Sequence, residues 1–403
     1  MEQNIFEQYC KQGDISAQRR EWEHAIFSYR KAIEIQPDNH QLYVQLGDAF
    51  RDSEDLDRSI SCYLKAVQVN PKVGMPYVRL KRLVDHPQML PNQIEKISQF
   101  GLDVIKKRPN NKQAQSIVIN SLSSLGKVEE AIQFCNKVTY QNNLKLKPYF
   151  VKDSWNESNI REPNFIIPGF MKCGTTSLYD YIAQHPNVLP ASQKEIMFFN
   201  NEKSYKLGLD WYRANFPPIS KDANYITGEA STLYALDFTI PEKLYQAFPN
   251  IKLIFILRNP VDRAISHYYF NVNTRGLSKS LDEAIESEIS WLNNMKNIDQ
   301  KISGSRGIIS VGLYAYFLKK WIKIFPKEQI FILTLEELSQ NTELVMNKVF
   351  DFLSLSSFTV FKPAKRNSGS YESVNRDLRL KLSEFFKPHN YKLEDLLNSK
   401  LNW

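Results

Sequence analysis

Residues 165–184 read FIIPGFMKCGTTSLYDYIAQ, and their order decides how the second half of the chain folds. Phe165–Ile167 is a short apolar run, the mark of a buried strand. Pro168–Thr176 carries two glycines, Gly169 and Gly174, and Ser177–Gln184 returns to helical spacing. Strand, glycine-containing loop and helix in that order bring backbone N–H groups and a helix N-terminus to one point, a ready anion site.

The lysine narrows the choice of anion. In a nucleotide-hydrolysing loop of the form G-x-x-x-x-G-K-[ST] the lysine directly follows the second glycine. Here Gly169 and Gly174 keep that separation, but Lys172 precedes Gly174, and Thr175-Thr176 follow it. The string G-x-x-K-x-G-T-T-x-L resembles the 5′-phosphosulfate loop of sulfotransferases, which use 3′-phosphoadenosine 5′-phosphosulfate (PAPS) and need no metal. The resemblance implies that Gly169, Lys172, Cys173, Gly174, Thr175, Thr176 and Ser177 bind the donor. Lys172 would stabilise the charge that builds on the bridging oxygen as the S–O bond breaks. Thr175 and Thr176 would offer hydroxyls to the 5′-phosphate, with Cys173 a spacer rather than a nucleophile.

A second stretch supports the first. Ile251–Leu257 is a strand-length run, apolar except for Lys252, followed by Arg258-Asn259-Pro260-Val261-Asp262-Arg263-Ala264-Ile265-Ser266. An arginine at the carboxyl end of a buried strand, with a hydroxyl eight residues later on the next helix, can grip one phosphate from two sides. L-R-N-P-x-D-R-x-x-S-x-Y resembles the 3′-phosphate motif of the same enzymes and assigns that phosphate to Arg258 and Ser266. Asp262 and Arg263 read as helix N-terminal structure.

Between the two lies Lys194-Glu195-Ile196-Met197-Phe198-Phe199-Asn200, then Tyr205-Lys206-Leu207-Gly208-Leu209-Asp210-Trp211-Tyr212. This resembles the heparan-sulfate branch, its N-sulfotransferase domains most of all, where the glutamate before the aromatic run is the catalytic base. The matching position is Glu195, beside aromatic residues whose desolvation would raise a carboxylate pKa. The alternative for Glu195 is a surface ion pair with Lys194. Among six histidines, His267, next to Ser266, is the one rival base, and His185 reads as a turn residue. The branch usually places Glu-Lys-[Ser/Thr] near a second acceptor-side strand. Glu229-Ala230-Ser231 lacks that lysine, which loosens any inference to glycosaminoglycan and leaves Glu229 to orient the site.

Downstream, Tyr314–Ile324 reads as a helix, Ile330–Leu333 as a strand and Glu337–Phe352 as one helix. Phe361–Lys392 is strongly basic, with eight Lys/Arg against three acids. Within it, Lys365, Arg366 and Asn367 resemble the late loop that closes over the nucleotide, or else form a solvated basic face. Phe386 through Trp403 resembles the terminal helix and aromatic anchor of the branch. The resemblance thus covers Asn164–Trp403 and implies a P-loop-like three-layer α/β domain with a central parallel sheet.

The first third is a repeat. Gly13 and Gly47 are 34 residues apart, as are Ile26 and Ile60, Tyr29 and Tyr63, Ala32 and Ala66, Ile33 and Val67, and Pro37 and Pro71. Within each unit the apolar residues fall on one helical stripe, with a small residue for close helix contact and a proline to end it. The 34-residue helix–turn–helix unit resembles the tetratricopeptide repeat, over Ile5–Asp38 and Asn39–Lys72. It decays afterwards, with an offset of 38 from Pro71 to Pro109 and repeat-like helices at Ile97–Pro109 and Gly126–Val138. Such an array binds a protein or peptide, or its own copy, or only shields and orients the catalytic domain. Cys10, Cys62 and Cys135 read as core fillers.

These pieces predict an all-α repeat domain over residues 1–140, a linker over Gln141–Pro163 and a sulfotransferase domain over 164–403. The chain has 403 residues with ordinary globular composition, a net charge of +8 and a pI near 9.0, which favours anionic partners; no nucleic-acid partner is expected. No apolar run approaches the roughly 18 residues of a membrane span, and no secretory leader is visible at the N-terminus. Four cysteines without a CxxC pair argue against a disulfide scaffold or zinc knuckle and make a reducing cytoplasm the expected compartment. The expected reaction is sulfuryl transfer to a hydroxyl or amine, of a carbohydrate first, with protein tyrosine or a small alcohol or lipid as alternatives. A magnesium-dependent phosphotransferase and a repeat scaffold with an inactive nucleotide domain are the rival readings.

Overall fold

The computed structural model describes residues 2–275, 279–361, 374–401 and 403. The chain divides into two compact units, Met1–Cys135 and Asn136–Trp403.

The first unit is helical throughout: Glu2–Gln18, Trp22–Ile35, His40–Asp52, Leu56–Val69, Met75–Val84, Pro91–Lys107, Lys112–Ser124 and the start of Val128–Leu146. The 34-residue offset reappears as packing. Gly13 lies under the Tyr29 ring and Gly47 under the Tyr63 ring, where an added Cβ would come within 2.5 and 2.6 Å. Each tyrosine then donates to an aspartate at the same offset, Tyr29 Oη to Asp14 at 2.8 Å and Tyr63 Oη to Asp48 at 2.7 Å. Ala25, Ala32, Leu42 and Phe50 form one core, and Ile60, Ala66, Leu80 and Ile97 the next. The irregularity after Pro71 is a ten-residue helix, Met75–Val84, followed by a seventeen-residue one, Pro91–Lys107.

The second unit is built on a five-stranded parallel sheet in the order β2-β3-β1-β4-β5. The strands are β1 Phe165–Gly169, β2 Val188–Pro190, β3 Ile226–Ala230, β4 Lys252–Leu257 and β5 Ile330–Thr334. Phe165, Ile166 and Ile167 of β1 and Leu253 through Leu257 of β4 are fully buried. Continuous apolar strands of this kind are what a parallel sheet covered on both faces requires. Because all strands run one way, the loops after β1, β3, β4 and β5 meet along one edge.

Two expectations are corrected. Gln141–Pro163 is not an open linker: helix Val128–Leu146 runs into it and Pro148–Ser154 is a further helix. Asn142 Nδ2 donates to the Ser192 carbonyl at 3.1 Å and Asn143 Nδ2 to the Pro190 carbonyl at 3.0 Å. Phe150 and Val151 are buried with Leu189, so this segment packs on the sheet of the second unit. The helix expected over Glu337–Phe352 is two, Leu335–Gln340 and Thr342–Phe352, because Asn341 leaves helical geometry at φ −130°. None of the described helices is long and apolar enough to cross a membrane.

Candidate active site

The loop after β1 is held from below and open above. Phe170 is fully buried and its N–H donates to the Ile256 carbonyl of β4 at 3.1 Å. Its ring packs against Tyr314 with centroids 4.8 Å apart. Cys173 is fully buried as well, Sγ lying 3.4 Å from Tyr314 Oη. Burial pushes that thiol up to about 11, so its sulfur faces the core as an inert, protonated group. Lys172 and Gly174, on either side of it, have φ of 69° and 95°. Left-handed geometry at a lysine costs about 1–3 kcal/mol and clusters at ligand sites; at Gly174, which precedes helix Thr175–Ile182, it carries no Cβ penalty. A Cβ on Gly169 would lie 2.8 Å from Ala235 Cβ and 3.1 Å from the Thr232 carbonyl, so only glycine lets β1 end against the chain that follows β3.

The positive charge of the site is concentrated. Lys172 is half-buried, with Nζ 4.6 Å above the Phe270 ring. Arg258, at the end of β4, donates through Nη1 to the Lys172 carbonyl at 3.3 Å, and its own carbonyl accepts from Tyr314 Oη at 2.8 Å. Burial, then the charges of Arg258 and Arg263, push the Lys172 ammonium below its ordinary value. Ser266 is buried on helix Pro260–Arg275. Thr175 is buried, while Thr176 and Ser177 are half-buried.

Arg263 lies in the first turn of helix Pro260–Arg275, as expected, but as a fully buried guanidinium, which the reading of the sequence does not reveal. Nη2 donates to the Ile308 carbonyl, Nη1 lies 3.3 Å from His267 Nδ1, and Nε has no hydrogen-bond partner. Glu288, the acid that acts on it, already accepts from the Ile309 and Ser310 N–H groups at 3.0 and 2.8 Å. A buried cation with neutral direct partners calls for an anion nearby, and Lys172 and Arg258 add to that demand. A signal was present in the sequence: Arg263, Ser266, His267 and Phe270 fall at i, i+3, i+4 and i+7, one helix face. Asp262, by contrast, pairs at the surface with Arg379 at 2.6 Å. His267 is fully buried against Arg263, which removes it as a base. His185 is a turn residue as expected, with Nδ1 accepting from the Asn187 N–H and Nε2 3.1 Å from the Ser356 carbonyl.

Glu195 lies on a segment docked against the end of β3. Its N–H donates to the Ala230 carbonyl at 3.0 Å. Oε2 accepts from the Thr232 N–H at 3.1 Å and the Thr232 hydroxyl at 3.2 Å, and Oε1 accepts from Lys194 Nζ at 2.9 Å. Lys194 Nζ also donates to Thr176 Oγ1 at 2.9 Å. The ion pair with Lys194 is therefore real, and it joins the glutamate to the donor loop. Its side chains remain 24% and 29% exposed. A second carboxylate lies deeper. Glu229 is fully buried, and burial pushes its carboxyl up to about 7 against the lowering effect of hydrogen bonds from Ser231 and Tyr212. The aromatic run feeds that interior: Phe198 stacks on Tyr212 at 4.9 Å, and Tyr234 Oη accepts from the Phe198 N–H at 2.8 Å.

Lys365, Arg366 and Asn367 lie outside the described residues. The terminal helix Arg376–Leu397 buries Phe386, and the Trp403 ring lies 5.9 Å from Tyr314, the residue that also holds Arg258 and Cys173.

Comparison with known proteins agrees with this geometry. The sulfotransferase domain family matches residues 162–385, and the tetratricopeptide repeat family matches residues 8–39 and 40–73. The membrane-associated sulfotransferase kil1 of Dictyostelium discoideum is 27% identical over 316 residues, covering 60% of this chain and 66% of that protein. The mouse heparan sulfate glucosamine 3-O-sulfotransferase 5 is 30% identical over 263 residues, covering 60% of this chain and 74% of that protein. The human bifunctional heparan sulfate N-deacetylase/N-sulfotransferase 2 is 27% identical over 277 residues, covering 61% of this chain and 31% of that protein. The chain thus spans just under two thirds of the first relative and less than a third of the last. With a family match over more than half its length, this chain is a transferase of the sulfotransferase family that carries tetratricopeptide repeats in its N-terminal part.

Proposed function

We propose that the chain moves a sulfuryl group from PAPS to a hydroxyl or amine of a carbohydrate, with Glu195 as the base. The observation that carries this reading is the pairing of Lys172, Arg258 and Arg263 around the β1 loop with Glu195, linked through Lys194. The donor supplies an activated sulfuryl group whose leaving group is a phosphate. Gly174 and the following N–H groups, with Thr175 and Thr176, hold the 5′-phosphate, and Arg258 and Ser266 hold the 3′-phosphate. Glu195, fixed by Thr232 and Lys194, takes the acceptor's proton. The acceptor oxygen or nitrogen bonds to sulfur as the bond from sulfur to the bridging oxygen breaks. The electron pair stays on the departing phosphate, beside the Lys172 ammonium.

A carbohydrate acceptor is supported by relatives named for heparan sulfate and by a site rich in cations. Because those relatives include both N- and O-sulfotransferases, either acceptor atom fits. The repeat domain we assign to a protein or peptide partner, or to a second copy of the chain. The test is transfer from radiolabelled PAPS to N-deacetylated heparan, N-sulfated heparan oligosaccharide, a tyrosine peptide and a small alcohol. Label on a saccharide that falls about 10²-fold or more in Glu195→Gln agrees with the proposal. Label on the peptide or alcohol alone replaces the acceptor, and unchanged transfer by Glu195→Gln removes the base.

A further inference from the structure

Lys194 joins the donor loop to the glutamate. Its Nζ is 2.9 Å from Thr176 Oγ1 and 2.9 Å from Glu195 Oε1, so one ammonium donates to both. Two features separate this from an ordinary surface pair. A half-exposed ion pair adds little to fold stability, so stability alone gives no reason for this geometry. Thr176 and Glu195 are also the two groups that must be oriented. By occupying a lone pair of Thr176 Oγ1, Lys194 leaves the threonine proton to point at an incoming phosphate. By occupying Oε1 while Thr232 occupies Oε2, it fixes the plane of the Glu195 carboxylate.

We infer that Lys194 is a positioning residue that ties donor binding to the alignment of the base, so that a donor seated on Thr176 and a correctly turned Glu195 form together. This rests on the PAPS reading above. It differs from a simple electrostatic role, because a free cation near the phosphate would act without regard to Thr176, whereas a positioning ammonium acts through it.

The experiment is a double-mutant cycle on binding of 3′-phosphoadenosine 5′-phosphate, the donor product, read by calorimetry, with kcat and KM measured beside it. Lys194→Met weakens binding by about tenfold, the scale of a charge-assisted hydrogen bond. In a Thr176→Val background the same change costs less than about twofold, because the shared hydroxyl is already gone. Lys194→Met also lowers kcat at saturating acceptor and donor, with a smaller change in acceptor KM, a split that loss of fold stability would not produce. Lys194→Arg restores both to within about threefold, since its guanidinium can also donate twice; Lys194→Gln repeats the cycle if the methionine variant folds poorly. Native protein that binds the nucleotide while the Lys194 and Thr176 effects simply add overturns the positioning role and leaves the PAPS reading intact. Native protein that does not bind it overturns both.

Discussion

Ser231 gives its hydroxyl proton to Glu229 Oε2 at 2.6 Å and accepts the Met197 N–H at 3.2 Å. Two residues after Glu195, the chain is therefore pinned to a buried carboxylate. Tyr212 Oη donates to the other oxygen at 2.8 Å, and Glu195 and Met197 both hold left-handed φ, 61° and 58°. Glu229 is thus the anchor for a strained segment that carries Glu195, the base we propose.

Replacing Glu229 with Gln leaves one of two hydroxyl donors facing an amide N–H. The expected cost is about 1–3 kcal/mol of stability, as for other half-satisfied buried pairs, with a fall in kcat as Glu195 loosens. The pH dependence carries a sign. The folded carboxyl titrates at about 7, above its ordinary 4.5, so the unfolded chain loses this proton first. The stabilising contribution is full below about 4.5 and is lost as pH rises through about 7. Denaturation across that range should show the native chain losing stability relative to Glu229→Gln. A constant difference between the two would contradict the assignment.

Lys172 predicts a pH effect in the same direction, on binding rather than on stability. Its ammonium is held below the ordinary 10.5 by burial, Arg258 and Arg263, and an anion favours its charged form. Affinity for 3′-phosphoadenosine 5′-phosphate should therefore fall as pH rises toward 10.5. In Arg263→Met that fall should move to higher pH, while affinity at neutral pH drops by about tenfold. A pH-independent affinity in the native protein would show that Lys172 stays clear of the ligand.

The fully buried Cys173 thiol should resist alkylation in the folded chain while Cys10, partly exposed, reacts. Mass spectrometry after native labelling checks this. Rapid modification of Cys173 would mean that the loop opens.

Gly47 tests the repeat packing. A Gly→Ala change inside an exposed helix normally gains about 1 kcal/mol. Here the new Cβ would meet the Tyr63 ring at 2.6 Å and Cys62 Cβ at 3.2 Å, an overpacking that costs about 1–3 kcal/mol. Gly47→Ala should therefore destabilise the first unit in a thermal melt, and a stabilised variant would refute the close contact.

What the sequence made legible was local. Gly169, Lys172, Gly174 and Arg258 are found from a few residues of context, because strand, loop and helix follow each other directly. The repeat is found from its period. The features it hid depend on partners far along the chain. Arg263 reads as helix N-terminal structure, its burial hidden until the helix face is known, and the burial of Glu229 depends on β3 lying between β2 and β1. Asn142 and Asn143 look like linker residues, because hydrophobic periodicity cannot see polar side chains whose amides are satisfied by the Ser192 and Pro190 carbonyls. Phe198 and Phe199 turn into the core, while the Glu195 side chain stays 29% exposed, a difference that the run of sequence alone does not show.

The central claim is that the β1 loop and Arg258 bind a nucleotide by its two separate phosphates. Calorimetry without added metal, comparing 3′-phosphoadenosine 5′-phosphate with ADP for the native chain, Lys172→Ala and Arg258→Ala, tests it most directly. The account predicts tight binding that requires the 3′-phosphate and weakens by about tenfold or more in Arg258→Ala, as expected for loss of a charge-assisted phosphate contact. Equal affinity for ADP, or binding that appears only with Mg2+, would contradict it and favour a phosphotransferase.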